Sequence, residues 1–248
     1  MRNLLMFEFH NLFHKKSLYV CAAVMIALLV LLDVAYWTIM QDYGVTYIVC
    51  VPEAMVYSLT DADVVMFAGI FISIYVCMDF QCGTYKNIYA RGFSKESVYL
   101  AKFVAVFASM LIMYLAAMLT ELICCWILFG FSEYVDANYA LIFVTQIFFV
   151  LANAALVYAI GMSTRKTGIT VVFALLTSSM VDLVLSLIDE LLDVEGFLLS
   201  DYWLETISYD ITSLYTDTGK LVLCLVLSIL YAALFMEVGF VVYKKREH

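Results

Sequence analysis

The chain is poor in charge and nearly devoid of proline. Of its 248 residues 14% are charged and a single one, Pro52, is proline, whereas 65% are hydrophobic. A water-soluble domain of that composition would expose more apolar area than solubility tolerates, which leaves an integral membrane protein. No basic face with interleaved aromatics is present, so nucleic-acid binding is excluded as a function class. The seven cysteines form no CxxC pair. Cys21, Cys77, Cys124, Cys125 and Cys224 lie within apolar runs, where the thiol behaves as a small hydrophobe. Cys50 and Cys82 are expected on opposite sides of a membrane and therefore do not pair. GxxxxGK[ST] is missing, so the chain does not itself cradle nucleotide phosphates. No histidine falls in an apolar run, which leaves Gly161-Met162-Ser163 without a base and removes a serine-hydrolase or intramembrane metalloprotease reading. His10 and His14 stand four apart but without the glutamate of HExxH, and no catalytic residue, metal ligand or bound cofactor is assigned to the chain.

What the sequence does contain is six long apolar runs, over residues 18–40, 60–80, 103–129, 139–162, 168–188 and 221–243. About 20 residues of helix at 1.5 Å each cross roughly 30 Å of hydrocarbon, so these runs predict an all-α polytopic membrane protein with six transmembrane helices. Twelve of the 13 Lys and Arg residues fall before the first run, between the second and third, between the fourth and fifth, or after the sixth, leaving only Lys220. The positive-inside rule then places both termini in the cytoplasm. The net charge of −9 says little about partners, because charge is sorted by side. Neither an internal repeat nor a linker divides the chain, and 1–248 reads as one transmembrane domain.

Residues 1–17 predict an amphipathic helix along the inner membrane surface, with Leu5, Phe9, Leu12 and Phe13 on one side and Glu8, Asn11 and Lys15 on another. Thr60 with Asp63 resembles a helix N-cap pair ahead of the second run. Between residues 189 and 220 the chain turns acidic, and Leu198, Leu199, Tyr202, Trp203 and Ile207 predict small helices on the outer surface before the last span.

Residues 79–102, DFQCGTYKNIYARGFSKESVYLAK, are an island of charge between two apolar runs. Gly83 and Gly92 bracket a segment long enough for about two helical turns. Asp79-Phe80, Gly83-Thr84, Lys86-Asn87, Arg91-Gly92 and the Tyr99–Lys102 segment resemble the first cytoplasmic loop of type-2, export-class ATP-binding-cassette (ABC) transporter permeases, most similar to bacterial peptide-export and antibiotic-peptide resistance permeases. In that family the loop carries a coupling helix that docks on a separate ATPase. The resemblance implies coupling roles for Asp79, at the end of the second run, and for Gly83, Thr84, Lys86, Asn87, Arg91, Gly92 and Lys95 in the 81–102 loop. It further implies an N-terminal elbow helix bearing Glu8, and ATP with Mg held by the partner ATPase. A second permease, identical or a sibling, would complete the transporter in a bacterial cell membrane. The same basic residues also suit a loop that only sets topology and binds lipid headgroups.

Carboxylates occur at membrane depth at Asp33, Glu121, Asp182 and Glu237. Ionisable groups there cost on the order of 2.5–3.5 kcal/mol on insertion scales and are functional candidates. Glu121, Gln146 and Asn153 (seven apart on one helix face), with Ser178, Asp182 and Ser186 as a second polar stripe reaching Asp189, are the candidate translocation path. Snorkelling from span ends is the simpler account of Asp33 and Glu237, and hydrogen bonding to a neighbouring helix or second subunit accounts equally for Asp182. A carboxylate-driven secondary carrier and a non-transporting immunity or sensor protein stand as alternatives.

Overall fold

A computed structural model of the chain describes residues 2–43, 62–130, 139–192, 198–212 and 217–245. The expected Thr60 cap, with Cys50 and Pro52, lies outside them. The described residues form helices α1 (Arg2–His14), α2 (Lys16–Asp42), α3 (Ala62–Gln81), α4 (Thr84–Ala90), α5 (Lys95–Leu128), α6 (Tyr139–Thr164), α7 (Thr167–Leu192), α8 (Leu204–Thr212) and α9 (Thr218–Lys245), with a 3-10 turn at Ser200–Tyr202. Six of them, α2, α3, α5, α6, α7 and α9, are long and apolar enough to cross a membrane.

The bundle is built around α3, which packs against α2, α5, α6 and α7. Val64, Ala68, Phe71, Ile72, Tyr75, Val76 and Cys77 are all fully enclosed on it, so α3 is apolar nearly all round and shows no single hydrophobic stripe. Among the outer helices α2 fully buries Leu18, Met25 and Leu29, packs Cys21 and Ile26 beside them, and turns most of its remaining apolar surface outward, as a lipid-facing span does. α5 has 34 residues, about 51 Å of helix, and outruns a bilayer core of roughly 30 Å. Its N-terminus is fixed by Ser94, whose side chain accepts from the Ser97 amide at 3.3 Å. The 81–102 segment thus resolves into α4, a short connection and the first turns of α5, so that Lys95 and Lys102 are helical.

Among the described residues α6 and α9 share the most extensive helix–helix contact. Gly239 is the reason. A Cβ built there would sit 2.9 Å from the Ala159 Cβ and 2.6 Å from the Tyr99 hydroxyl. The missing side chain lets two backbones approach, and it lets Tyr99 donate to the Met236 carbonyl at 3.0 Å. At the opposite end, α8 lays Leu204, Ile207 and Ile211 back onto α6 and α9, with Trp203 edge-on to Tyr231 at 5.6 Å. Asp189 ends the polar stripe of α7 by accepting from the Leu199 and Ser200 amides at 2.7 and 2.9 Å, which fixes the 3-10 turn.

The N-terminal helix packs Leu12, with Leu5 and Phe9, against the core as expected, but Glu8 joins the buried side and Phe13 does not. Leu4, Glu8 and Leu12, spaced by four, form its buried face, while Phe13 is exposed. Glu8 therefore faces the protein interior, not the polar side with Asn11 and Lys15, because a buried cation awaits it there.

Replacing Gly239 by leucine is expected to force α6 and α9 apart and lower stability by about 1–3 kcal/mol, the usual range for an overpacked core. Thermal unfolding of the detergent-solubilised protein checks this: the midpoint falls for Gly239→Leu and stays put for Val238→Leu, one residue away on an exposed face.

Candidate functional site: a charge-locked helix end

Glu8, Tyr75, Asp79 and Lys102 meet at one end of the bundle. Tyr75 and Asp79 are four apart and share a face of α3, Glu8 comes from α1 and Lys102 from the second turn of α5. The Lys102 side chain is 0% exposed. Its Nζ donates to Glu8 Oε2 at 2.9 Å and to Asp79 Oδ2, and lies 3.8 Å from the centroid of the Tyr75 ring. Tyr75 Oη donates to Glu8 Oε2 at 2.7 Å and reaches the Glu8 carbonyl at 3.1 Å. Lys15, partly exposed, approaches Asp79 Oδ1 at 3.9 Å. Two carboxylates are thus matched by two ammonium groups, and the aromatic face adds a cation–π contact. Without that balance an ion at this depth would carry a desolvation cost of several kcal/mol.

Beside this lock sits α4. Gly83, at its N-cap, has φ 69° and Gly92, just beyond its C-cap, has φ 85°. Both are left-handed conformations that residues with a Cβ rarely adopt, and between them the chain makes one seven-residue helix. Tyr85 and Ile88 bury one face of it. The Tyr85 ring stacks on Phe80 at 4.1 Å, and its hydroxyl donates to Met162 Sδ at 3.8 Å. Tyr89 hydrogen-bonds to Tyr243 near the end of α9, and burial pushes the Tyr89 phenol up to about 12. Arg165, at φ 58° in the α6–α7 turn, places its guanidinium 4.9 Å from the Phe80 ring.

The residues singled out by sequence fall into separate places. Lys86, Asn87, Arg91 and Gly92 are exposed, Gly83, Thr84 and Lys95 are half-buried, and Asp79 belongs to the buried lock. The polar residues of the candidate path are spread over α5, α6 and α7. Glu121 is buried on α5. Gln146 is buried on α6, where its Oε1 accepts from Tyr114 at 2.8 Å and its Nε2 has no hydrogen-bond partner among the described residues. Asn153 donates to the Phe149 carbonyl at 3.1 Å. Asp182 is half-buried and Ser186 exposed on α7, Ser186 donating to the Asp182 carbonyl at 2.9 Å, while the Ser178 side chain is outside the described residues. Asp33 is half-buried on α2 and Glu237 exposed on α9.

Sequence reasoning missed the tyrosines. Tyr75 and Asp79 at i, i+4 were the available signal for a polar face on an apolar helix, whereas Tyr89 and Tyr243 are too far apart in sequence to be paired without coordinates.

Lys102→Ala is expected to cost about 3–5 kcal/mol, since it strands two buried carboxylates. Lys102→Met combined with Glu8→Gln and Asp79→Asn should recover most of the loss. Thermal midpoints of the single and triple variants decide this, and equal midpoints for the two would show that the ions do not interact.

The sequence profile of the family described as "ABC-2 family transporter protein" matches residues 4–187. No curated protein gives a significant match to the chain.

Proposed function

The chain belongs to the ABC-2 family of transporter proteins, as a multi-pass membrane permease, and from that premise we propose that it forms the translocation path of an exporter driven by a separate ATPase subunit. The observation that carries the proposal is α4: a short helix bounded by two left-handed glycines, seated by Tyr85 and Ile88, and presenting Lys86 and Asn87 outward with Arg91 at its end. A segment that only anchored to lipid would need no such seat. α4 is the coupling helix, its exposed residues meet an acidic groove on the ATPase, and Asp79 contributes by holding the neighbouring helix ends together. ATP and Mg are bound by that partner.

In this reading the basic end of the bundle is cytoplasmic, α1 is the elbow helix on the inner surface, and α8 lies outside the cell. A second permease, identical or a sibling, completes the path. The exported substrate is hydrophobic or peptide-like, as in the antibiotic-peptide resistance systems that the charge island resembles, and the membrane is a bacterial plasma membrane. Glu121, Gln146, Asn153 and Asp182 supply the few polar contacts available to it at membrane depth.

Asn87→Pro removes a backbone donor inside α4 and should cost that helix about 3 kcal/mol, while Arg91→Glu reverses a charge at its exposed end. Both variants are expected to reach the membrane in normal amount and to lose co-purification of the ATPase. Undiminished ATPase recovery with both would refute α4 as the docking element.

Sidedness is checked separately by cysteine substitution and an impermeant thiol reagent on intact cells. Asp201→Cys should label and Asn87→Cys should not; the reverse pattern would invert the assignment.

A further inference from the structure

Among the described residues α4 reaches α3, α6 and α9 through its tyrosines, and one of these contacts joins two hydroxyl groups across the helices. The Tyr85 stack on Phe80 joins α4 to the helix that directly precedes it, across the short Cys82-Gly83 connection. The Tyr85 hydroxyl meets a soft sulfur, Met162 Sδ, at 3.8 Å, a contact with little directional force. The Tyr89–Tyr243 hydrogen bond instead crosses to α9, the last span. Tyr243 is fully buried, with its ring 5.5 Å from Tyr99 and 6.5 Å from Tyr85. One turn back along α9, Gly239 leaves no slack against Ala159, and Tyr99 is bonded both to the α9 carbonyl of Met236 at 3.0 Å and, through its own carbonyl, to Tyr158 of α6 at 2.8 Å. A push delivered at Tyr243 therefore acts on α6 and α9 as one tightly packed body.

We propose that Tyr89 and Tyr243 are positioning residues that pass displacement of the coupling helix to the α6–α9 pair, so that the last span moves with α4 when the ATPase closes. This rests on the reading of α4 as the docking element. The glycines support it from the other direction. Gly83 and Gly92 let the backbone turn sharply at both ends of α4, which gives the helix freedom to rock relative to α3 and α5. A covalent route through its flanks would absorb motion, whereas a directional hydroxyl pair between two helices transmits it. The charge lock is not part of this route: Glu8, Asp79 and Lys102 hold α1, α3 and α5 together.

The test uses the chain purified with its ATPase, carrying spin labels at Ile127→Cys on α5 and Val222→Cys on α9, both exposed, with the native cysteines replaced. The distance distribution is measured without nucleotide and after trapping with ATP and vanadate. The unsubstituted complex is expected to show a nucleotide-dependent shift. Tyr89→Phe and Tyr243→Phe should each reduce it at least twofold, and the double variant no further, while ATPase recovery and the thermal midpoint stay near those of the parent. Tyr85→Phe, which loses only the sulfur contact, should keep the full shift. A shift preserved in the double variant, a shift absent from the parent, or a shift equally lost in Tyr85→Phe overturns the proposal while leaving docking intact. Failure of any ATPase to co-purify with the parent overturns both this proposal and the docking assignment.

Discussion

The end of the bundle depends on one buried cation. Lys102 sits inside the protein with no accessible side-chain surface, bonded to Glu8 and Asp79 and capped by the Tyr75 ring. At such a site an ammonium group is tolerated only when its charge is matched and its donors are occupied. That requirement, more than apolar contact, fixes where α1 lies, how far α5 extends beyond the hydrocarbon, and how α3 is rotated at its end. Apolar faces alone would not specify these placements, because lipid and protein interior are equally acceptable to a leucine. A matched set of ions has far fewer acceptable arrangements.

Beside this end α4 is a contrast. It is one seven-residue helix, too short to be stable by itself, set between left-handed glycines and held by three aromatic or apolar side chains. Its seat and its outer face are chemically distinct: Tyr85, Ile88 and Tyr89 inward, Lys86 and Asn87 outward. Such a division is what the proposed docking role asks of α4, and the lock ties together the ends of α1, α3 and α5 beside it.

Much of this was legible in the sequence, and the limits are physical. The six spans followed from run length, because a bilayer imposes a minimum on helix length. The small helices before the last span followed from the spacing of Trp203 and Ile207, and the bracketing of α4 followed from Gly83 and Gly92. Glu8 was placed on the wrong side of α1 because amphipathicity sorts residues by polarity, while the interior here holds a cation that selects a carboxylate. Lys102 read as part of a loop because charge interrupts a hydropathy pattern, yet it belongs to a continuous helix. Gln146 and Asn153 were found as a polar face, but only coordinates show that Asn153 bonds back to its own helix and Gln146 to Tyr114. The tyrosine contacts bridge up to 154 positions of sequence separation, and no local pattern encodes them.

The central claim is that the outward face of α4 meets an ATPase and not lipid. A photoreactive benzoylphenylalanine at Asn87, irradiated in native membranes, addresses it at the level of atoms. The account predicts an adduct with a protein that carries a phosphate-binding loop, identified by mass spectrometry. Adducts with lipid alone would contradict it.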